Sequence, residues 1–178
     1  MTDKNFKVKN ALELGTASIV TPGGTLSLPS ATDTVIGRAT TDTLTNKTLL
    51  SAEEITTISS TAATGTINFD AVTQSILYYT TNASGNWTLN IRGNSSTTLS
   101  SILPVGSSIT VVFMVSQGTT AFYQTGFQID GVSHTPKWQG GSAPTEGNIS
   151  SIDAYSFTIT KTAATPTYVT LASVVGFA

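Results

Sequence analysis

Apolar and polar residues alternate with a period of two along most of the second half of the chain. In WTLNIR (87–92) the alternation puts Trp87, Leu89 and Ile91 on one face, and in YSFTIT (155–160) it groups Tyr155, Phe157 and Ile159. A period of two marks a strand with one side in a core. TINFD (66–70), SILYYTT (75–81), SITVVFMVS (108–116), TAFYQTGFQI (120–129) and TYVTLASV (167–174) are also rich in β-branched and aromatic residues, which suit a pleated, half-buried surface. The segments between them, NASGN (82–86), PVG (104–106), QGTT (117–120), DG (130–131) and GGSAPTEGN (140–148), carry turn-forming residues. Short strands broken by Gly, Asn and Pro predict an antiparallel sandwich or jelly roll. SSTTLSSIL (95–103) predicts a single helical turn with Leu99, Ile102 and Leu103 toward the core.

The first part of the chain has a different pattern. Phe6 and Val8 share one strand face, Leu12 and Leu14 another, and Leu26 and Leu28 repeat the spacing before Pro29. Gly15, Pro22, Gly23, Gly24, Pro29 and Gly37 interrupt these pieces at close intervals. None is long enough to bury much surface alone, so the segment is expected to be an extended arm that orders on assembly. Ser51-Ala-Glu-Glu54 has the spacing of a helix-capping box and would start a short helix with Ile55 and Ile58 on one face. A chance pairing in a Ser-rich chain accounts for it equally well. Residues 1–54 hold 11 of the chain's 18 charges, which places a boundary near residues 50–65. The expected organisation is all-β: an extended N-terminal arm over residues 1–60, followed by a jelly-roll-like β-sandwich domain over residues 61–178.

Composition narrows the function. Only 10% of residues are charged, against about 25% in an ordinary soluble domain, and Ser and Thr supply about 30% of the chain. The net charge is −2 with no basic patch, so no nucleic-acid partner is expected. There is no cysteine, which rules out disulfides and thiolate metal sites. No apolar run approaches the roughly 20 residues needed to cross a bilayer, and the polar N-terminus lacks the apolar core of a signal peptide. No membrane insertion is expected.

Candidate chemistry is sparse. His134 is the sole histidine, so any Ser-His-Asp arrangement must use it, yet it follows the turn Asp130-Gly131 with no nucleophile motif beside it. Paired carboxylates for glycoside cleavage would have to come from Asp70, Asp130, Glu146 and Asp153. Nothing in their spacing brings two together. No cofactor, metal site or enzymatic activity is expected. Trp87, Trp138, Tyr78, Tyr79, Phe122 and Tyr123 are candidates for a sugar-stacking platform. Adjacent strand residues point to opposite faces, so one of Tyr78/Tyr79 and one of Phe122/Tyr123 is expected outside, although core packing is the ordinary role of such residues.

GTLSLPSATDTVIGRATTDTLTNKTL (24–49) resembles a segment of tailed-bacteriophage structural proteins, in which a TLxLP piece and a VGRxTTDTLTNKTL piece precede a receptor-facing or decorating domain. KNFKVKNALELGT (4–16) resembles the N-terminal attachment region of the same proteins. ILYYTTNASGNWTLNIRGN (76–94), IDGVSHTPKWQGGSAPTEGN (129–148) and YSFTITKT (155–162) are similar to a domain of virion proteins from marine cyanobacterial and related phages. The resemblance covers nearly the whole chain. It implies a virion location on capsid or tail, a homotrimer, other virion proteins as partners, and no catalytic residues. One arm and one domain fit a capsid decoration or short head fibre, with a tail-fibre or collar subunit that holds a host surface glycan as the alternative. The assembly interface would then comprise Phe6, Val8, Leu12, Leu14, Leu26 and Leu28, with Val35, Ile36, Leu44, Leu49 and Leu50 toward a common axis. Arg38, Asp42 and Lys47 would form inter-chain ion pairs that set register.

Overall fold

A computed structural model describes residues 18–21, 24–27, 48 and 50–178. The chain divides between Leu50 and Ser51. In the first unit, β1 (Ser18–Thr21) pairs antiparallel with β2 (Gly24–Ser27), placing Ile19 opposite Leu26. Two residues, Pro22 and Gly23, separate these strands in the sequence, the connection length of a tight hairpin.

The second unit begins its sheet structure earlier than the sequence boundary at residue 60. Its first strand is β3 (Thr56–Ala62), so residues 56–60 belong to a sheet. The capping box does not start a helix: Ser51 has φ 54°, residues 52–55 are irregular, and Ile58 lies within β3. A β-branched run, Thr56-Thr57-Ile58, follows it and favours extended backbone.

Five further strands follow the sequence pattern closely: β4 (Gly65–Asp70), β5 (Ile76–Thr81), β6 (Trp87–Arg92), β7 (Ser108–Ser116) and β8 (Gln124–Ile129). Two short strands, β9 (Val132–Ser133) and β10 (Lys137–Trp138), come next, then the long β11 (Ile152–Ala163) and β12 (Thr167–Phe177). The predicted helical turn is α1 (Leu99–Ile102). Leu99 and Leu103 are buried as expected, but Ile102 is exposed, because four residues turn only one narrow stripe inward.

The strands of the second unit form two sheets, ordered β10-β12-β11-β7-β5-β3 and β4-β6-β8-β9. Strand direction departs from the antiparallel expectation. Antiparallel pairing holds for β11 with β12, β11 with β7, and β8 with β9. β3 with β5, β5 with β7, β4 with β6, β6 with β8, and β10 with β12 are parallel. The reason is connectivity. From β3 to β8 successive strands alternate between the sheets, so each excursion through one sheet is the crossover that a parallel pair in the other needs. The result is three stacked coils, β3–β4, β5–β6 and β7–β8.

Backbone hydrogen bonds hold the corners of these coils in register. Ser84 N–H donates to the Ala63 carbonyl (3.1 Å), Gly65 N–H to Asn86 (3.2 Å) and Ala83 N–H to Ser116 (2.9 Å). At the opposite corner Ala71 N–H donates to Arg92 (2.8 Å) and Asp130 N–H to Ile91 (2.9 Å). Gly65 makes the first corner at φ 60°, in the left-handed region that side chains disfavour.

The core fills the space between the sheets. Ile67, Leu89 and Phe127 share one register row of the four-stranded sheet, and Phe69, Ile91 and Ile129 the next. Facing them are Leu77, Phe113, Tyr155, Phe157 and Ile159. Trp87 bridges the layers, edge-on to Phe113 (5.7 Å) and to Tyr155 (5.8 Å), while Phe127 stacks on Phe157 (4.8 Å). Each large side chain so buried contributes about 1.5–3 kcal/mol relative to exposure.

Candidate functional site

Of the residues expected at an assembly interface, the structure places Leu26 in the β1–β2 hairpin and leaves Leu50 91% exposed. Phe6, Val8, Leu12, Leu14, Leu28, Val35, Ile36, Arg38, Leu44, Lys47 and Leu49 lie outside the described residues.

Most of the charged residues considered in the second unit are engaged in the fold. Asp130, itself at φ 53°, accepts from the N–H of Leu99 (2.6 Å) and of Ser100 (3.1 Å), holding α1 against the β8–β9 turn. Asp70 accepts from Arg92 Nε (2.6 Å) on the neighbouring coil. Asp153 is fully buried and accepts from Gln117 Nε2 (3.0 Å), Asn148 Nδ2 (2.7 Å) and Asn148 N–H (3.2 Å). Glu146 is exposed in the loop before β11. The buried Lys161 donates from Nζ to the carbonyl (2.6 Å) and the hydroxyl (3.2 Å) of Ser100. Three of the four carboxylates thus act as local ties. Among the described residues no cluster of three His, Cys, Asp or Glu is placed to hold a metal.

His134 packs on Phe127 (6.1 Å between rings) and edge-on to Tyr168 (6.4 Å). It shares a cavity of about 410 Å³ with Asp130, Ser133 and Tyr168. Burial lowers its pKa, which keeps the imidazole neutral near pH 7. Burial likewise pushes the Tyr155 hydroxyl far above its ordinary pKa, and the Asp153 charge adds to the effect.

The aromatic residues do not form one platform. Trp87 is buried, Tyr79 packs on Phe113 (5.5 Å), and Trp138 lies edge-on to Tyr155 (6.3 Å) and Phe157 (5.9 Å). Tyr78 is the outward member of its pair, donating or accepting a hydrogen bond with Ser116 Oγ (3.1 Å). Phe122 and Tyr123 precede β8, so strand alternation does not sort them. Phe122 packs on the core and its backbone is pinned by both ends of the Gln117 amide.

Sequence reasoning missed the feature that most distinguishes the surface. Across five strands the outer side of the six-stranded sheet is free of charge and carries an apolar row among Ser and Thr hydroxyls, whereas the outer side of the four-stranded sheet holds Asn, Asp and Arg. Alternation within each segment was the available signal. Its outward members Ile58, Tyr78, Met114 and Val175 are apolar where a solvated face would be polar.

No protein-family model, curated protein or solved structure matches the chain.

Proposed function

We propose that this chain is a structural subunit of a tailed-phage virion. Its N-terminal arm anchors it to capsid or tail, and its β-sandwich projects as a homotrimeric capsid decoration or short fibre. The observation that carries the reading is the pairing of two unlike units. A Thr-rich N-terminal segment bearing GTLSLPS and TTDTLTNKTL precedes a sandwich in which Asp70, Asp130 and Asp153 tie the fold together. An outer face without charge suits a subunit that meets other protein. Few lysines and arginines and a closely hydrogen-bonded set of corners suit a particle surface exposed to proteases.

Antibody-gold labelling of intact particles, with serum against residues 51–178, tests the proposal. Gold over the head supports decoration or a head fibre. Gold confined to the tail moves the subunit to a fibre or collar and brings glycan binding forward. Absence of gold from every particle refutes a virion location.

A further inference from the structure

The two outer faces of the sandwich differ in charge and in apolar content. Outside the four-stranded sheet stand Thr66, Asn68, Asp70, Thr88, Asn90 and Arg92. They are tied across strands by Asn90 Nδ2 donating to Asn68 Oδ1 (2.8 Å) and by the Arg92–Asp70 pair. That face is polar and partly solvated, with Asn90 buried beneath its neighbours. Outside the six-stranded sheet, Ile58, Tyr78, Met114, Ala154 and Val175 occupy one continuous register row through β3, β5, β7, β11 and β12. The neighbouring rows add Ile76 beside Val112 and Phe177 beside Ile152 but also carry Ser156, Ser173 and Ser116. Farther along the face Thr110 meets Thr158 (3.1 Å) and Ser108 meets Thr160 (2.7 Å) through their hydroxyls. Phe177, Ile58, Leu171 and Val175 are 60%, 59%, 55% and 52% exposed. Across these five strands the outer positions hold no Asp, Glu, Lys or Arg; Lys137 of β10 borders the face beside Leu171.

We infer that this face is a self-association surface that packs against the same face on another copy of the chain. Two observations select that occupant. A partner presenting charges would bury them here without counter-charges, at large cost, whereas the same face on a second copy brings none. The area also suffices. Five strands about 4.8 Å apart, each contributing about eight residues at about 3.3 Å, span roughly 600 Å² of uncharged face per copy, apolar and hydroxyl-bearing positions together. Two copies then bury roughly 1,200 Å², the lower bound of a stable specific interface. The inference rests on the assembly reading above only in taking the chain to be present in several copies.

The test uses the full chain. Met114 lies in the row, and Met1 is the only other methionine, so peroxide oxidation followed by mass spectrometry reads the face against an internal reference. Sedimentation over a range of concentrations reads the mass. The expected result is a multimer in which Met114 oxidises more slowly than Met1, with that protection lost on dilution. The double variant Leu171→Lys/Val175→Lys should raise the dissociation constant about 100-fold or more and abolish Met114 protection, while Gln128→Lys on the opposite face changes neither. If the N-terminal arm holds copies together, mass persists in the double variant but Met114 protection still falls, which also supports the inference. Should the double variant misfold, loss of wild-type protection on dilution decides alone. A multimer whose mass and Met114 protection survive both lysines overturns this surface and leaves the assembly reading standing. A wild-type monomer at every concentration, with Met114 open or covered by its own N-terminal unit, overturns the surface and self-trimerisation together. Neither result touches virion location, which gold labelling reports.

Discussion

Asp153→Ala is the substitution that best probes how the sandwich holds its last long loop. The carboxylate is fully buried at the start of β11 and gathers donors from two loops. Gln117 Nε2 comes from the β7–β8 corner, and Asn148 contributes its side chain and its N–H. The losses are unequal. Asn148 is exposed, so water can replace the carboxylate for its two donors. Gln117 is only 4% exposed and keeps a bond to the Phe122 carbonyl (2.6 Å), but it loses its charged acceptor. A hydrogen bond to a charged group is worth about 1.5–3 kcal/mol, and the two Asn148 bonds add about half that after resolvation. The sum is about 3 kcal/mol, which for a unit of this size lowers Tm by roughly 10 °C. Asp153→Asn retains one acceptor oxygen and should cost about half as much. Urea unfolding followed by tryptophan fluorescence, with a double-mutant cycle against Gln117→Ala, measures both total and coupling. A loss below about 1 kcal/mol for Asp153→Ala, or no coupling to Gln117, would refute the reasoning.

Four further outcomes are expected. Phe113→Ala removes a buried ring that contacts Tyr79, Trp87 and Tyr155 and should cost about 3–5 kcal/mol, read by the same denaturation assay. Gly93→Ala forces a methyl to 2.6 Å from the Thr97 carbonyl oxygen, whereas at Gly106 (φ 84°) the space is open and only backbone strain opposes it. Gly93→Ala should therefore lose about 2 kcal/mol or more and Gly106→Ala about 1 kcal/mol, compared by thermal melting. Arg92→Ala breaks an ion pair whose partners are 26% and 30% exposed, so a loss of about 0.5–1 kcal/mol that shrinks in high salt is expected. For His134, burial lowers the folded-state pKa below 6.5, so the unfolded chain binds the proton more readily. Stability from this group is complete above 6.5 and falls as pH drops through the window between the two values. Melts across that window should show a slope that His134→Gln removes.

The sequence alone settled much that depends on one strand at a time. Alternation is a local property: a strand puts every second side chain on one face whatever its neighbours are. Hence the inward positions of β6 and β11, namely Trp87, Leu89 and Ile91 with Tyr155, Phe157 and Ile159, are legible in the order of residues, as are the all-β class and the turn at 99–102. The candidate interface in the N-terminal arm rested on motifs of that segment, of which only Leu26 falls in a described strand. Tertiary structure decided which strands are neighbours, because periodicity says nothing about partner or direction. Parallel pairing arose because consecutive segments pass from sheet to sheet, and that route is set by corner hydrogen bonds between residues distant in the chain, such as Ser84 and Ala63. The outer-face row had the same origin. Ile58, Tyr78, Met114, Ala154 and Val175 come from five separate segments, and each alone is an ordinary exposed or half-buried residue. Only the register of the folded sheet sets them side by side in one row.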